Sequence, residues 1–299
     1  MDLSSKKNLV DSKPDKLAKI RQCELLDLNR SSLYYKAKGM NEKDLNILNK
    51  IDEIYTDNPV YGYRYIYRQL LEDGFAVGKD RVLNYMNILG LEAIRPKKKK
   101  LTSIKDREHK IYDYLLGIYW SADSKNNRTV NVPTVNEVWS GDITYVRTKS
   151  GFMYLAAIID WSSRSILSYR LSNSMDVSLV TGVLNQALSK YPAPKIFNSD
   201  QGSQYTSREH TQILQDYGIE ISMNGKGRNI DNIVIERFFR TLKYNCIYIN
   251  EFNDVKELKE GIDNYMNNYN YKRFHSSINY QKPMNLYLNQ IQNSLQLAA

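Results

Sequence analysis

The stretch EVWSGDITYVRTKSGFMYLAAIIDWSSRSILSYRLS, residues 137–172, decides how this chain is read. It holds three β-rich runs separated by turn signals at KSG (149–151) and WSSR (161–164). Strands joined so closely form an antiparallel meander. Residues 152–159, FMYLAAII, are apolar without a break. A strand exposed on one face alternates polar and apolar residues, so a continuous run belongs to a strand covered on both faces.

The texture then becomes α/β. DVSLVTGVLNQALSKY (176–191) has helical period, PKIFNSD (194–200) reads as a short strand, and SREHTQILQDYG (207–218) as a helix closed by glycine. IEISM (219–223) is a fifth strand and DNIVIERFFRTLKYNCIY (231–248) a long helix. The order β-β-β-α-β-α-β-α predicts a mixed five-stranded sheet flanked by helices.

The upstream part is all-α. EKDLNILNKIDEIYTDNP (42–59), YGYRYIYRQLLEDG (61–74) and VGKDRVLNYMNILG (77–90) predict three helices, the last two ended by Gly74 and Gly90. Three short helices with a tight turn before the third suggest a helix-turn-helix module, with Lys79, Arg81 and Asn84 on the helix that could enter a DNA groove. RPKKKK (95–100) follows as a basic arm whose Lys97, Lys98, Lys99 and Lys100 suit phosphate contact. Residues 101–136 read as a linker with one short helix at 112–120. The expected divisions are 1–40 (helical segment), 41–95 (helix-turn-helix-like), 96–133 (arm and linker), 134–250 (mixed α/β core) and 251–299 (helical tail).

Charge agrees with that division. Of the formal +9, residues 1–130 carry 25 Lys and Arg against 18 Asp and Glu, and residues 131–299 carry 17 against 15. A basic half beside a near-neutral half suggests one module that meets a polyanion and another with a different task. Two cysteines, Cys23 and Cys246, make neither a disulfide framework nor a thiolate metal site. No apolar run is long enough to span a membrane and the N-terminus has no signal-peptide core, so the expected location is the cytoplasm.

Three carboxylates stand out by position. Asp142 lies in the first core strand, Asp200 just past the fourth, and Glu236 on the long helix, with 35 residues between the last two. Parallel packing of the first and fourth strands would bring the two aspartates together at a sheet edge, where α/β sites form. At 100° per residue Glu236, Arg240 and Lys243 share one helix face, and Phe238, Phe239, Leu242 and Cys246 another. Singly, each carboxylate also fits a turn, a cap or a surface ion pair. Together they repel unless cations hold them, and an oxygen-only set suits two Mg²⁺ or Mn²⁺ ions about 3.5–4 Å apart.

GDITYV (141–146), NSDQGSQY (198–205) and DNIVIERFFRTLK (231–243), with the upstream YGYRYIYRQL and VGKDRV and the tail YNYKRFHSSINYQKP (269–283), resemble the transposases of the insertion-sequence-three family and their DDE integrase core. The resemblance implies an RNase H-like core with Asp142, Asp200 and Glu236 as catalytic, metal-binding triad. It implies 3′-end cleavage and strand transfer by direct transesterification, with Lys243 helping to hold DNA. Gly202, Tyr205 and Asn232 match the family's pattern around the site. The implied partners are double-stranded DNA (terminal repeats and target), at least a second copy of the chain, and the helix-turn-helix product of an upstream reading frame. Ile233, Ile235 and Arg237 depart from the family's smaller residues but lie off the glutamate's face. A DNA binder without catalysis would need only the basic half; a hydrolytic nuclease would use the same carboxylates without the helical module.

Overall fold

The computed structural model describes residues 3–10, 17–34, 40–94, 112–122, 128–149, 151–224 and 231–298. Three short helices, α1 (Leu3–Asn8), α2 (Lys19–Leu25) and α3 (Arg30–Tyr34), open the chain. The expected helical module follows as α4 (Glu42–Asp57), α5 (Tyr63–Glu72) and α6 (Lys79–Ile88). Asn41 caps α4 by accepting from the Asp44 N–H at 2.8 Å. Ile47, Leu48 and Ile51 of α4, Ile66 and Leu70 of α5 and Val82 of α6 close a core of their own. Gly74 and Gly90 end α5 and α6 at φ +84° and +67°, where a side chain would be strained. The arm at 95–100 lies outside the described residues.

Residues 112–136 differ from the expectation. The short helix is only a 3₁₀ turn, Leu116–Tyr119, and it leads into a two-stranded antiparallel hairpin of β1 (Trp120–Ala122) and β2 (Arg128–Val130). Three-residue strands leave too little periodicity to recognise. They hold because Tyr119 and Val130 pack against the main core.

The core comprises β3 (Val138–Thr148), β4 (Gly151–Asp160), β5 (Ile166–Ser172), α7 (Val177–Leu188), β6 (Ile196–Ser199), α8 (Arg208–Asp216), β7 (Glu220–Met223) and α9 (Ile233–Leu242). The sheet order is β5-β4-β3-β6-β7, with β3 antiparallel to β4 and parallel to β6. The first strand of the meander is therefore central. In β4, Leu155, Ala157 and Ile159 pack with Phe238 and Leu242 of α9, whereas Ala156 and Ile158 pack with Leu179 and Val183 of α7. Period two with both faces covered is why the run reads as continuously apolar.

Beyond α9 the helix widens into a π turn, Lys243–Ile247. Then come α10 (Val255–Asn267), a second π turn (Asn268–Lys272) and α11 (Pro283–Ala298). This tail holds the helical module. Arg273 lies over the rings of Tyr61 and Tyr65 at 5.8 and 5.3 Å, and Lys282 pairs with Glu72. Tyr61 and Tyr65 of YGYRYIYR and Arg273 of YNYKRF thus serve the junction between two units.

His210 on α8 is buried edge-on against Phe197 and Tyr205. Neither ring nitrogen finds a hydrogen-bond partner in good geometry. Burial pushes its pKa down to about 4, with the Tyr205 backbone opposing. A depressed histidine makes the fold more stable above the unfolded value of about 6.5 and loses that stability as pH falls toward 4. His275 is lowered in the same direction. Thermal melts from pH 7.5 to 5 should therefore show a loss that His210→Phe reduces by about 2 kcal/mol.

Candidate active site

The register of β3 and β6 sets the site. Ser140 pairs with Asn198 in the parallel ladder. Asp142 is two residues beyond Ser140, and Asp200 two beyond Asn198, so both carboxylates leave neighbouring parallel strands at one level. Asp142 is within β3, not at its end, and Asp200 follows the last residue of β6. Glu236 is in the first turn of α9.

Asp200 and Glu236 reach solvent and Asp142 is partly covered. Dense neighbours still make burial the first cause of every shift in the group. Asp142 is pushed up to about 8 by burial and then by Asp200 and Glu236, against the Ile143 N–H, which donates to it at 2.8 Å, and Lys243. Asp200 is raised by burial, opposed by the Gly202 N–H at 3.0 Å. Glu236 is raised by burial and by Asp200. Burial lowers Lys243, and Asp142 opposes that shift. The four groups share one electrostatic field.

Tyr205 is buried beside them, and both Asp142 and Asp200 add to the upward shift that burial gives its phenol. A Cβ on Gly141 would stand 2.8 Å from Phe197 Cζ and 3.2 Å from the Tyr205 hydroxyl. A Cβ on Gly202 would stand 3.0 Å from Asp200 Oδ1. Close approach requires a glycine at Gly141, and at Gly202 a methyl group would press on the Asp200 carboxylate.

A polar seam beneath the carboxylates was not visible in the sequence. The buried Asn198 donates to Asn224 Oδ1 at 2.9 Å and to the Asp231 carbonyl at 3.3 Å, and accepts from Ser222 Oγ at 2.9 Å. Asn232 donates to the Gly141 carbonyl at 3.4 Å. Its side chain faces inward and does not cap α9, although it stands at the cap position. The seam ties β3, β6 and β7 to the start of α9, and so sets Glu236 against the aspartates. Polar residues within short apolar strands, IFNS and EISM, are the only sign of it in the sequence.

The expected DNA contacts divide. Lys79 and Asn84 are exposed on α6, Lys79 over the Tyr67 ring. Arg81 is engaged within the module, 2.6 Å from Asp44 and from the Tyr85 hydroxyl. Arg240 lies over Tyr244 and Lys243 over Tyr145, at 6.0 and 4.8 Å. Lys97–Lys100 lie outside the described residues. Among the described residues no three His, Cys, Asp or Glu side chains close into a cage for one metal ion. No helix among them is long and apolar enough to cross a membrane.

Residues 133–229 and 217–283 match families described as integrase core domain, and residues 42–99 an HTH-like domain. The transposase for insertion sequence element IS904 of Lactococcus lactis is 35% identical over 75% of this chain and 85% of its own length. The chain belongs to the insertion-sequence transposases. Transposase InsF of insertion sequence IS3A from Escherichia coli K12 is 36% identical over 47% of this chain and 50% of its own length. The HTLV-2 integrase catalytic core domain, solved in complex with magnesium, aligns at TM-score 0.43 and 20% identity over 52% of this chain and 98% of that one. The transposase is an integrase-type enzyme.

Gly141→Ala should displace Phe197 or Tyr205, neither of which has room to move in the core. The expected cost is about 1–3 kcal/mol in a denaturant melt, as for other overpacked cores.

Proposed function

We propose that Asp142, Asp200 and Glu236 hold divalent metal in this transposase. With it they would cleave the element's 3′ ends and join the freed 3′-hydroxyls to target DNA by direct transesterification. The observation that carries this is the shared level of Asp142 and Asp200 on paired parallel strands, with Glu236 in the same field. The donor set fits a hard cation: it is all oxygen, and each carboxyl is disfavoured in its charged form without one. Magnesium keeps waters and takes substrate phosphate, so two or three carboxylates suffice without a closed protein cage. Two bound ions would supply Lewis acidity at the phosphoryl group and a nucleophilic oxygen at neutral pH.

The chain's own groups do the rest. The Ile143 and Gly202 N–H groups fix one oxygen of each aspartate. The Asn198 seam holds α9 in place. Lys243, half-buried on the Glu236 helix, offers a cation to a DNA phosphate beside the carboxylates. Lys79 and Asn84 on α6, Arg240 and the arm at 97–100 extend the DNA surface, whereas Arg81 mainly braces α6 against α4. Two element ends must meet for transposition, so the working form on DNA is at least a dimer, with the upstream-frame product as a further partner.

Strand transfer on duplexes taken from the sequence flanking the gene tests this. Asp200→Asn and Glu236→Gln should each lower Mg²⁺-dependent joining at least about 100-fold, about 2.7 kcal/mol of transition-state stabilisation. DNA binding in EDTA should persist, and the metal-free variants should melt no lower than the parent, because a crowded negative charge is gone. Undiminished joining by both variants would refute the assignment. Cut but unjoined products would point to a hydrolytic nuclease.

A further inference from the structure

Arg164 is a partly buried cation without a matching anion. It sits in the turn between β4 and β5 at φ +65°, a left-handed conformation that glycine or asparagine adopts more easily. The turn itself does not need an arginine. Its Nε donates to Ser277 Oγ at 3.3 Å and its Nη2 to the Val130 carbonyl at 3.4 Å, both long. Nη1 is buried and has no hydrogen-bond partner. Asp160 is the near carboxylate, but its oxygens are taken by Ser163 and the Asn136 N–H, and among the described residues no acid forms an ion pair with Arg164.

A cavity of about 370 Å³ adjoins it. A second arginine, Arg237 of α9, lines the same space, with hydroxyls from Thr129, Thr241 and Ser277, and no carboxylate does. The field there is positive: burial, Arg273 and Arg164 together push the neighbouring His275 down to about 4. One wall is apolar, formed by Trp120 and Phe238. Two forked guanidinium groups lining one cavity match a tetrahedral oxyanion. The volume far exceeds that of a bare ion and leaves room for an organic group against the indole.

We propose that this cavity binds a phosphate group of a nucleotide unit, held by Arg164 and Arg237, with its sugar or base against Trp120. Arg237 directly follows Glu236 on α9, so the site lies around the helix from the carboxylates. The favoured source is a backbone phosphate of bound DNA, which rests on the reading of the chain as a DNA-handling enzyme. A free nucleotide or inorganic phosphate shares the same chemistry.

The test uses the full chain in EDTA, where metal plays no part, so its result is independent of the triad. Binding of a random-sequence duplex is measured across salt concentrations for the parent, Arg237→Gln and Arg164→Met. Melting is measured with and without inorganic phosphate and a deoxynucleotide monophosphate. A DNA site predicts affinity about 10-fold lower at 0.1 M salt for each variant and a log–log salt slope smaller by about 1. A small-phosphate site predicts that phosphate or nucleotide raises the parent's melting temperature and not the variants', with DNA binding unchanged; the cavity assignment then stands and the DNA source falls. Arg164→Met should melt at or above the parent, since it removes an unpaired, partly buried charge. If it fails to fold, surface-reaching Arg237→Gln decides alone. Unchanged DNA affinity, salt slope and phosphate response in Arg237→Gln would overturn the proposal.

Discussion

The parallel pairing of β3 with β6 is the constraint on which the rest depends. Three residue pairs, from Val138↔Ile196 to Ser140↔Asn198, make that ladder. A slip of one residue would turn every side chain of β6 to the other face. Phe197 would leave the α7 side of the core, and Asp200 would no longer stand level with Asp142. The same ladder brings Asn198 under Gly141, where the polar seam reaches across to Asn232 and the start of α9. Catalytic geometry and core packing are therefore one specification.

That geometry gathers like charges, which is unfavourable without a cation. The Ile143 and Gly202 N–H groups and Lys243 offset part of that cost, while burial first, and neighbouring carboxylates at Asp142 and Glu236, keep the carboxyl pKa values raised. Rigid supports make this tolerable. Gly141 allows contacts that a methyl group would forbid, and the sheet beneath is covered on both faces.

Much of this was legible in residues 137–248. Turn signals at KSG and WSSR, the unbroken FMYLAAII and the helical period of 176–191 each rest on local rules, and the elements follow them. The β1–β2 hairpin was not legible, because three-residue strands acquire their stability from Tyr119 and Val130 lying on a distant core. Asn232 stands at the cap position of α9, but its side chain turns inward to Gly141, a choice made by a neighbour 91 positions away. Arg81 was read as a DNA contact from its place on α6; the structure engages it with Asp44, which approaches only when α4 and α6 pack.

By itself the sequence determined the element order, the mixed sheet, the helical module and the three carboxylates, because periodicity, turn chemistry and motif spacing are properties of neighbouring residues. Only the tertiary structure decided that Asp142 and Asp200 share one level, that Asn198 and Ser222 support them, and that Arg164 and Arg237 face a common cavity. Those relations join residues tens of positions apart. Strand register and helix packing create them, and no local rule encodes either.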